Sequence, residues 1–181
     1  MKHTLVALLE NRPGVLHRAV SLFRRRGYNI ESLAVGRSET AGVSRMSLVV
    51  EADDVEQVIK QLYRLVEVLK VSDVTHERAV ERETALVKVS APAAARAGVV
   101  ATATAFGASI LDVGPASMVI EMTGPPDEVE RFVHVVRPFG LQEMMRTGRI
   151  AMTRSAPAAP AAPDAPRASV RAASRQTNHI A

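Results

Sequence analysis

The chain has 181 residues, 47% of them hydrophobic but only 3% aromatic, so it can bury a core of Val, Leu, Ile, Ala and Met sized for one or two small domains. It contains no cysteine, which excludes disulfides, thiolate metal sites and cysteine nucleophiles and fits a reducing, cytoplasmic setting. The formal charge of +4 is uneven: Arg154, Arg167, Arg171 and Arg175 against Asp164 place three of it beyond position 153, leaving a nearly neutral body that argues against a nucleic-acid face.

An apolar strand is predicted at about 4 to 10, broken by the polar turn Asn11-Arg12-Pro13-Gly14, and a helix at about 15 to 26 with Leu16, Ala19, Val20 and Phe23 as its apolar stripe. Arg24, Arg25 and Arg26 suit the negative end of that helix, and Gly27 supplies a stop. A strand from Asn29 to about Val35, a turn at Gly36 to Gly42 and a strand with Met46, Leu48 and Val50 facing inward form an antiparallel hairpin. Asp53 or Asp54 can cap a second helix carrying Val55, Val58, Ile59, Leu62, Leu65 and Val66, and a strand follows at about 68 to 75.

The same order returns: a strand at 84 to 90, a helix at about 93 to 106, strands at 108 to 113 and 116 to 123, a helix at 126 to 136 and a strand within 140 to 153. Gly27-Tyr28-Asn29-Ile30 aligns with Gly107-Ala108-Ser109-Ile110 at an offset of 80 residues, which reads as internal duplication. The expected fold is α+β, two ferredoxin-like βαββαβ units over residues 1–76 and 84–154 joined by a linker at 77–83, with an Ala/Pro-rich disordered tail at 155–181. Right-handed crossovers put both helices of each unit on one sheet face, so the other face needs a cover, for which another copy is the economical choice.

No apolar run approaches the roughly 20 residues of a membrane helix, and the stretch at Leu5 to Leu9 is short for an export signal. His3, His17, His76, His134 and His179 are scattered without metal-ligand spacing, Glu10 and Glu31 are isolated, and no nucleophile elbow, phosphate loop or dinucleotide fingerprint occurs, so no catalytic or metal residues are assigned. RNA binding on the sheet would need exposed aromatics, and Phe23 and Phe132 are taken by the core. What remains is Asn11, Gly14 and Asn29: amides, exposed N–H groups at a helix start and apolar walls, the needs of an α-amino acid, with a carboxylate received at the Gly14 turn without a positive side chain. Ordinary turn chemistry accounts for the same residues equally well. In the second unit, Ser90-Ala91-Pro92 lacks the Asn-x-x-Gly pattern and Ser109 replaces the second amide.

The runs Leu8-Leu9-Glu10-Asn11-Arg12-Pro13-Gly14-Val15-Leu16 and Arg26-Gly27-Tyr28-Asn29-Ile30-Glu31-Ser32-Leu33 together resemble the regulatory small subunits of acetolactate synthase, the acetohydroxyacid synthases. Lys60-Gln61-Leu62, Glu81-Arg82-Glu83 and Arg146-Thr147-Gly148-Arg149-Ile150-Ala151 carry the resemblance onward, whereas Ala91 to Ala105 departs from it. The resemblance implies an N-terminal ACT domain, a second ACT-like domain, a homodimer through the ACT domains, and a thiamine-diphosphate-dependent large subunit as partner. Thiamine diphosphate, Mg and FAD would belong to that partner and no cofactor to this chain. It implies activation of the large subunit and feedback inhibition by valine or another branched-chain amino acid such as isoleucine. Asn11, Gly14, Val15 and Leu16 would hold the ligand from one protomer, with Asn29 and Ile30 approaching from the other. A free-standing ACT sensor for another enzyme or a transcription system is the main alternative, and a small ferredoxin-like enzyme a third.

Overall fold

A computed structural model describes residues 1–155, so the expected tail lies, from 156 onward, outside the described residues. The first repeat comprises β1 (Lys2–Glu10), α1 (Val15–Arg26), β2 (Asn29–Arg37), β3 (Val43–Glu51), α2 (Val55–Leu62) and β4 (Val68–Asp73). The second comprises β5 (Ala79–Ser90), α3 (Ala93–Ala105), β6 (Ser109–Val113), β7 (Ser117–Gly124), α4 (Pro126–Val136) and β8 (Leu141–Arg146), followed by β9 (Ile150–Thr153). Strand order is β2-β3-β1-β4 in the first sheet and β6-β7-β5-β8 in the second, antiparallel throughout. These are two βαββαβ units. No helix among the described residues is long and apolar enough to cross a membrane.

The duplication reaches into backbone irregularities. The β2–β3 register slips between Ile30 and Ser32, and the β6–β7 register slips between Ile110 and Asp112, 80 positions later. A second pair of slips, at Leu8/Leu9 against β4 and Lys88/Val89 against β8, keeps the same offset. Each bulge adds one unpaired residue and bends its strand, so matching bulges give the two sheets the same local bends. The helix ends match too: Gly27 and Gly107 both adopt positive φ, and Tyr28 and Ala108 donate their N–H back to Phe23 and Ala103.

Alternation sets the cores. Leu5, Ala7 and Leu9 of β1 with Met46, Leu48 and Val50 of β3 face α1 and α2, and Ala85, Val87 and Val89 with Met118, Ile120 and Met122 face α3 and α4. Phe23 and Phe132 are fully buried, each edge-on to a second ring, Tyr28 and Phe106.

Several expectations are corrected. α1 buries Val15, Ala19, Leu22 and Phe23, so Leu16 and Val20 of the predicted stripe stand exposed; the apolar face is rotated because Val15 is pinned under the β1 turn. α2 ends at Leu62, before Leu65 and Val66, and Val66 is 84% exposed. The Tyr63 hydroxyl accepts from the Val71 N–H at 3.0 Å, and tying the turn to β4 there ends the helix. Asp54 is the cap, accepting from the Gln57 N–H at 3.2 Å, a contact worth about 1 kcal/mol.

Most of the 77–83 linker is strand, with only Glu77 and Arg78 outside it. β5 starts at Ala79 and its first four residues pair with β9, before Glu83 to Ser90 pair with β7. The single predicted strand within 140 to 153 is therefore two strands, which pair with different stretches of β5: β8 with Ala85 to Val89 and β9 with Ala79 to Arg82. Ala79 and Ala151 of this β5–β9 ribbon pack on Val6 and Val74, on the sheet face opposite α1 and α2. That face is thus partly covered from within the chain rather than only by another copy.

Candidate functional site

The Asn11–Gly14 turn is held by main-chain bonds: the Asn11 N–H donates to Gly42 O at 2.8 Å and the Arg12 N–H to Glu10 O at 3.0 Å. Gly14 adopts φ 84°, and no side chain caps α1. The first intrahelical bond runs from the Arg18 N–H to Gly14 O, so the N–H groups of Leu16 and His17 precede it. Neither the Asn11 nor the Asn29 side chain has a hydrogen-bond partner among the described residues, and both residues are exposed. The turn is therefore not stabilised by the Asn11 amide.

One electrostatic expectation is overturned. The Arg18 guanidinium lies 3.2 Å from where a Cβ on Gly14 would stand, so the turn does have a positive side chain beside it. Arg18 pairs with Glu67 at 2.6 Å, and Arg12 pairs with Glu10 across the same turn. The Glu67 carboxyl is held below its ordinary value by a hydrogen bond from its own backbone N–H and by Arg18, against the opposing effect of burial.

The six candidate residues do not converge within one chain. Val15 belongs to the core, so only its backbone is available, whereas Leu16 is 41% exposed. Asn29 and Ile30 begin β2, beyond the far end of the twelve-residue α1, about 18 Å from Gly14 at the rise of a helix. The second repeat closes the equivalent space. Pro92 precedes α3, and the Arg96 guanidinium donates to Ala91 O, Gly114 O and Pro115 O at 3.4, 2.8 and 3.0 Å.

A second cluster joins the repeats, and sequence reasoning saw its residues only as matching runs. Glu83, 7% exposed, meets Arg146 at 2.5 Å and Arg149 at 3.4 Å; Arg149 also reaches Glu81, and Arg146 reaches Glu130. Hydrogen bonds from Arg146 to Glu83 and Glu130 raise its pKa despite the contrary effect of burial. The Arg149 N–H donates to Ser32 Oγ at 2.6 Å, and Gly148 lies so close to β2 that a Cβ would overlap the Leu33 carbonyl. Paired charges in Glu81-Arg82-Glu83 and Arg146-Thr147-Gly148-Arg149, flanking a glycine, were the available signal.

Comparison with known proteins follows the same division. Residues 5–70 match the model of the AHAS small subunit-like ACT domain, and residues 82–155 that of the small subunit of acetolactate synthase. The chain is 52% identical over 156 residues to a probable acetolactate synthase small subunit of Archaeoglobus fulgidus, covering 85% of this chain and 98% of that one. The chain belongs to the acetolactate synthase small-subunit family. The acetolactate synthase small subunit of Bacillus subtilis is 42% identical, over 85% of this chain and 91% of its own. The crystal structure of the small subunit from Thermotoga maritima superposes with a TM-score of 0.81 at 39% identity, covering 86% of this chain and 99% of that one. The small-subunit model begins at residue 82, where β5 passes from the β9 ribbon to the second sheet. All six candidate ligand residues fall inside the ACT match.

Proposed function

We propose that this chain is the non-catalytic regulatory subunit of an acetolactate synthase, activating a thiamine-diphosphate-dependent catalytic subunit and conferring feedback inhibition by valine. The observation that carries the reading is the near end-to-end match to small subunits, over 98% of the archaeal relative. Thiamine diphosphate, Mg and FAD belong, in this reading, to the catalytic partner.

Valine is sensed between the first repeats of two protomers. The separation of Gly14 from Asn29 along α1 supports a site built from two chains, and the exposed Leu16 and Val20 supply apolar surface for a homodimer. The ligand carboxylate meets the Leu16 and His17 N–H groups and Arg18. The helix terminus contributes about 0.3–1 kcal/mol, so the unpaired Asn11 amide, the partner's Asn29 and the walls of Leu16 and Ile30 do most of the selecting. A site shared by two chains couples ligand binding to the dimer arrangement, and through it to the catalytic partner.

Acetolactate formation by the cognate catalytic subunit, with and without this chain over a valine titration, tests the reading. Stimulation, and valine inhibition seen only in the mixture, are expected; an unchanged rate and valine response with both proteins folded would sink it. Gly14→Asp should abolish valine inhibition while preserving activation, because its carboxylate competes for the same N–H groups and Arg18. Gly14→Ala separates charge from the strain of positive φ, and inhibition that survives in the Asp variant removes the proposed pose.

A further inference from the structure

A groove of about 930 Å³ lies between the end of β2 and the β5–β9 ribbon, so both repeats are needed to form it. The ribbon presents one face to it. Val80 pairs with Met152 and Arg82 with Ile150, while the alternate pairs put Ala79 and Ala151 against the first sheet. Ile150 and Met152 are 58% and 60% exposed, and Val35 of β2 adds a third exposed apolar side chain. At the floor stands Ser47 of β3, 4% exposed, whose Oγ has no hydrogen-bond partner. A buried hydroxyl left unpaired is costly, and this one borders the open groove.

The charge around the groove is of one sign. Arg37, Arg45, Arg78, Arg82 and Arg154 line it, and no carboxylate does among the described residues. Arg45 has Glu39 at 3.5 Å, whereas Arg37, Arg78 and Arg154 have no carboxylate partner among the described residues.

We propose that this groove docks a segment of the catalytic subunit that carries carboxylates beside apolar side chains. The inference rests on the regulatory-subunit reading above. Guanidiniums pair with carboxylates in forked geometry, Ile150, Met152 and Val35 take the apolar side chains, and Ser47 Oγ donates to a carbonyl or carboxylate of the incoming segment. The chain's own residues 156–181 are a poor occupant, with three arginines against Asp164. A second copy placed groove against groove fits no better, because it opposes like charges. The site also has a path to the ligand. β2 begins at Asn29 and Ile30 and ends at Ala34 to Arg37, so one strand carries half of the valine site and one wall of the groove.

The test titrates the full chain into the purified cognate catalytic subunit, reading association by calorimetry and activation by acetolactate formation, with circular dichroism and valine binding of the isolated chain measured in parallel. Arg37→Glu combined with Arg78→Glu should weaken association at least tenfold while leaving the isolated chain folded and its valine binding within twofold. Ser47→Ala should weaken association severalfold without lowering the melting temperature of the isolated chain, a split that a merely structural serine would not produce. Wild-type affinity in both variants overturns the groove alone. Failure of the unaltered chain to bind or stimulate overturns the regulatory reading and the groove with it.

Discussion

The two repeats share bulges, helix ends and core positions, yet the space between the first strand and first helix is finished in opposite ways. In the first, a positive-φ glycine and an uncapped helix start leave N–H groups and the Asn11 amide facing solvent. In the second, one guanidinium bonds three carbonyls around the β5–α3 and β6–β7 turns. Duplication thus preserved the scaffold, where every change disturbs packing, and left the turns free to diverge into an open site and a closed one.

Joining the repeats is the most fragile part of the comparison. Gly148→Ala should cost about 3 kcal/mol, because its Cβ collides with the β2 backbone rather than with a movable side chain. Denaturant unfolding is expected to separate into two transitions, and a loss under about 1 kcal/mol would mean the junction yields easily. Next comes the closed turn. Arg96→Met should cost about 2 kcal/mol by unpairing carbonyls held by charge-assisted bonds, whereas Asn11→Ala, which has no partner to lose, should change stability by no more than about 0.5 kcal/mol while abolishing the valine response. Equal destabilisation by the two would erase the proposed contrast.

The smallest effect is a pH dependence that divides the repeats. Burial alone would raise the Asp73 pKa, but hydrogen bonds from the Thr75 hydroxyl and N–H, with His3 beside it, lower it below 3.8; Glu67 likewise sits below 4.5. A carboxylate with a lowered native pKa stabilises the fold above its ordinary value and loses that contribution as the pH falls towards the lowered one. Both belong to the first repeat, so its amide protection factors, taken against the intrinsic exchange rate at each pH, should fall before those of the second as the pH drops below 4.5. A simultaneous fall would show that the junction transmits the loss.

Most of the fold was legible because its signals are local. The alternation of Met46, Leu48 and Val50, the helical spacing of Val129, Phe132, Val133 and Val136, and the repeated glycine after each first helix depend on nearest neighbours and hold in the structure. The extent of β5 was not legible, since Ala79 to Arg82 become strand only by pairing with Ile150 to Thr153, some 70 residues away. The burial of Val15 instead of Leu16 follows from the entry angle of α1, which a periodic pattern leaves open by one position.

Sequence by itself determined the duplication, the order of elements and the residue types at the Asn11–Gly14 turn, because propensity, periodicity and turn chemistry act over a few positions. Only the tertiary structure decided that Glu67 holds Arg18 beside the Gly14 turn, that β9 pairs with the start of β5, and that Gly148 and Arg149 lie against β2 and join the two repeats. Those are relations between elements distant along the chain, fixed by how the sheets pack and by where paired charges can be buried.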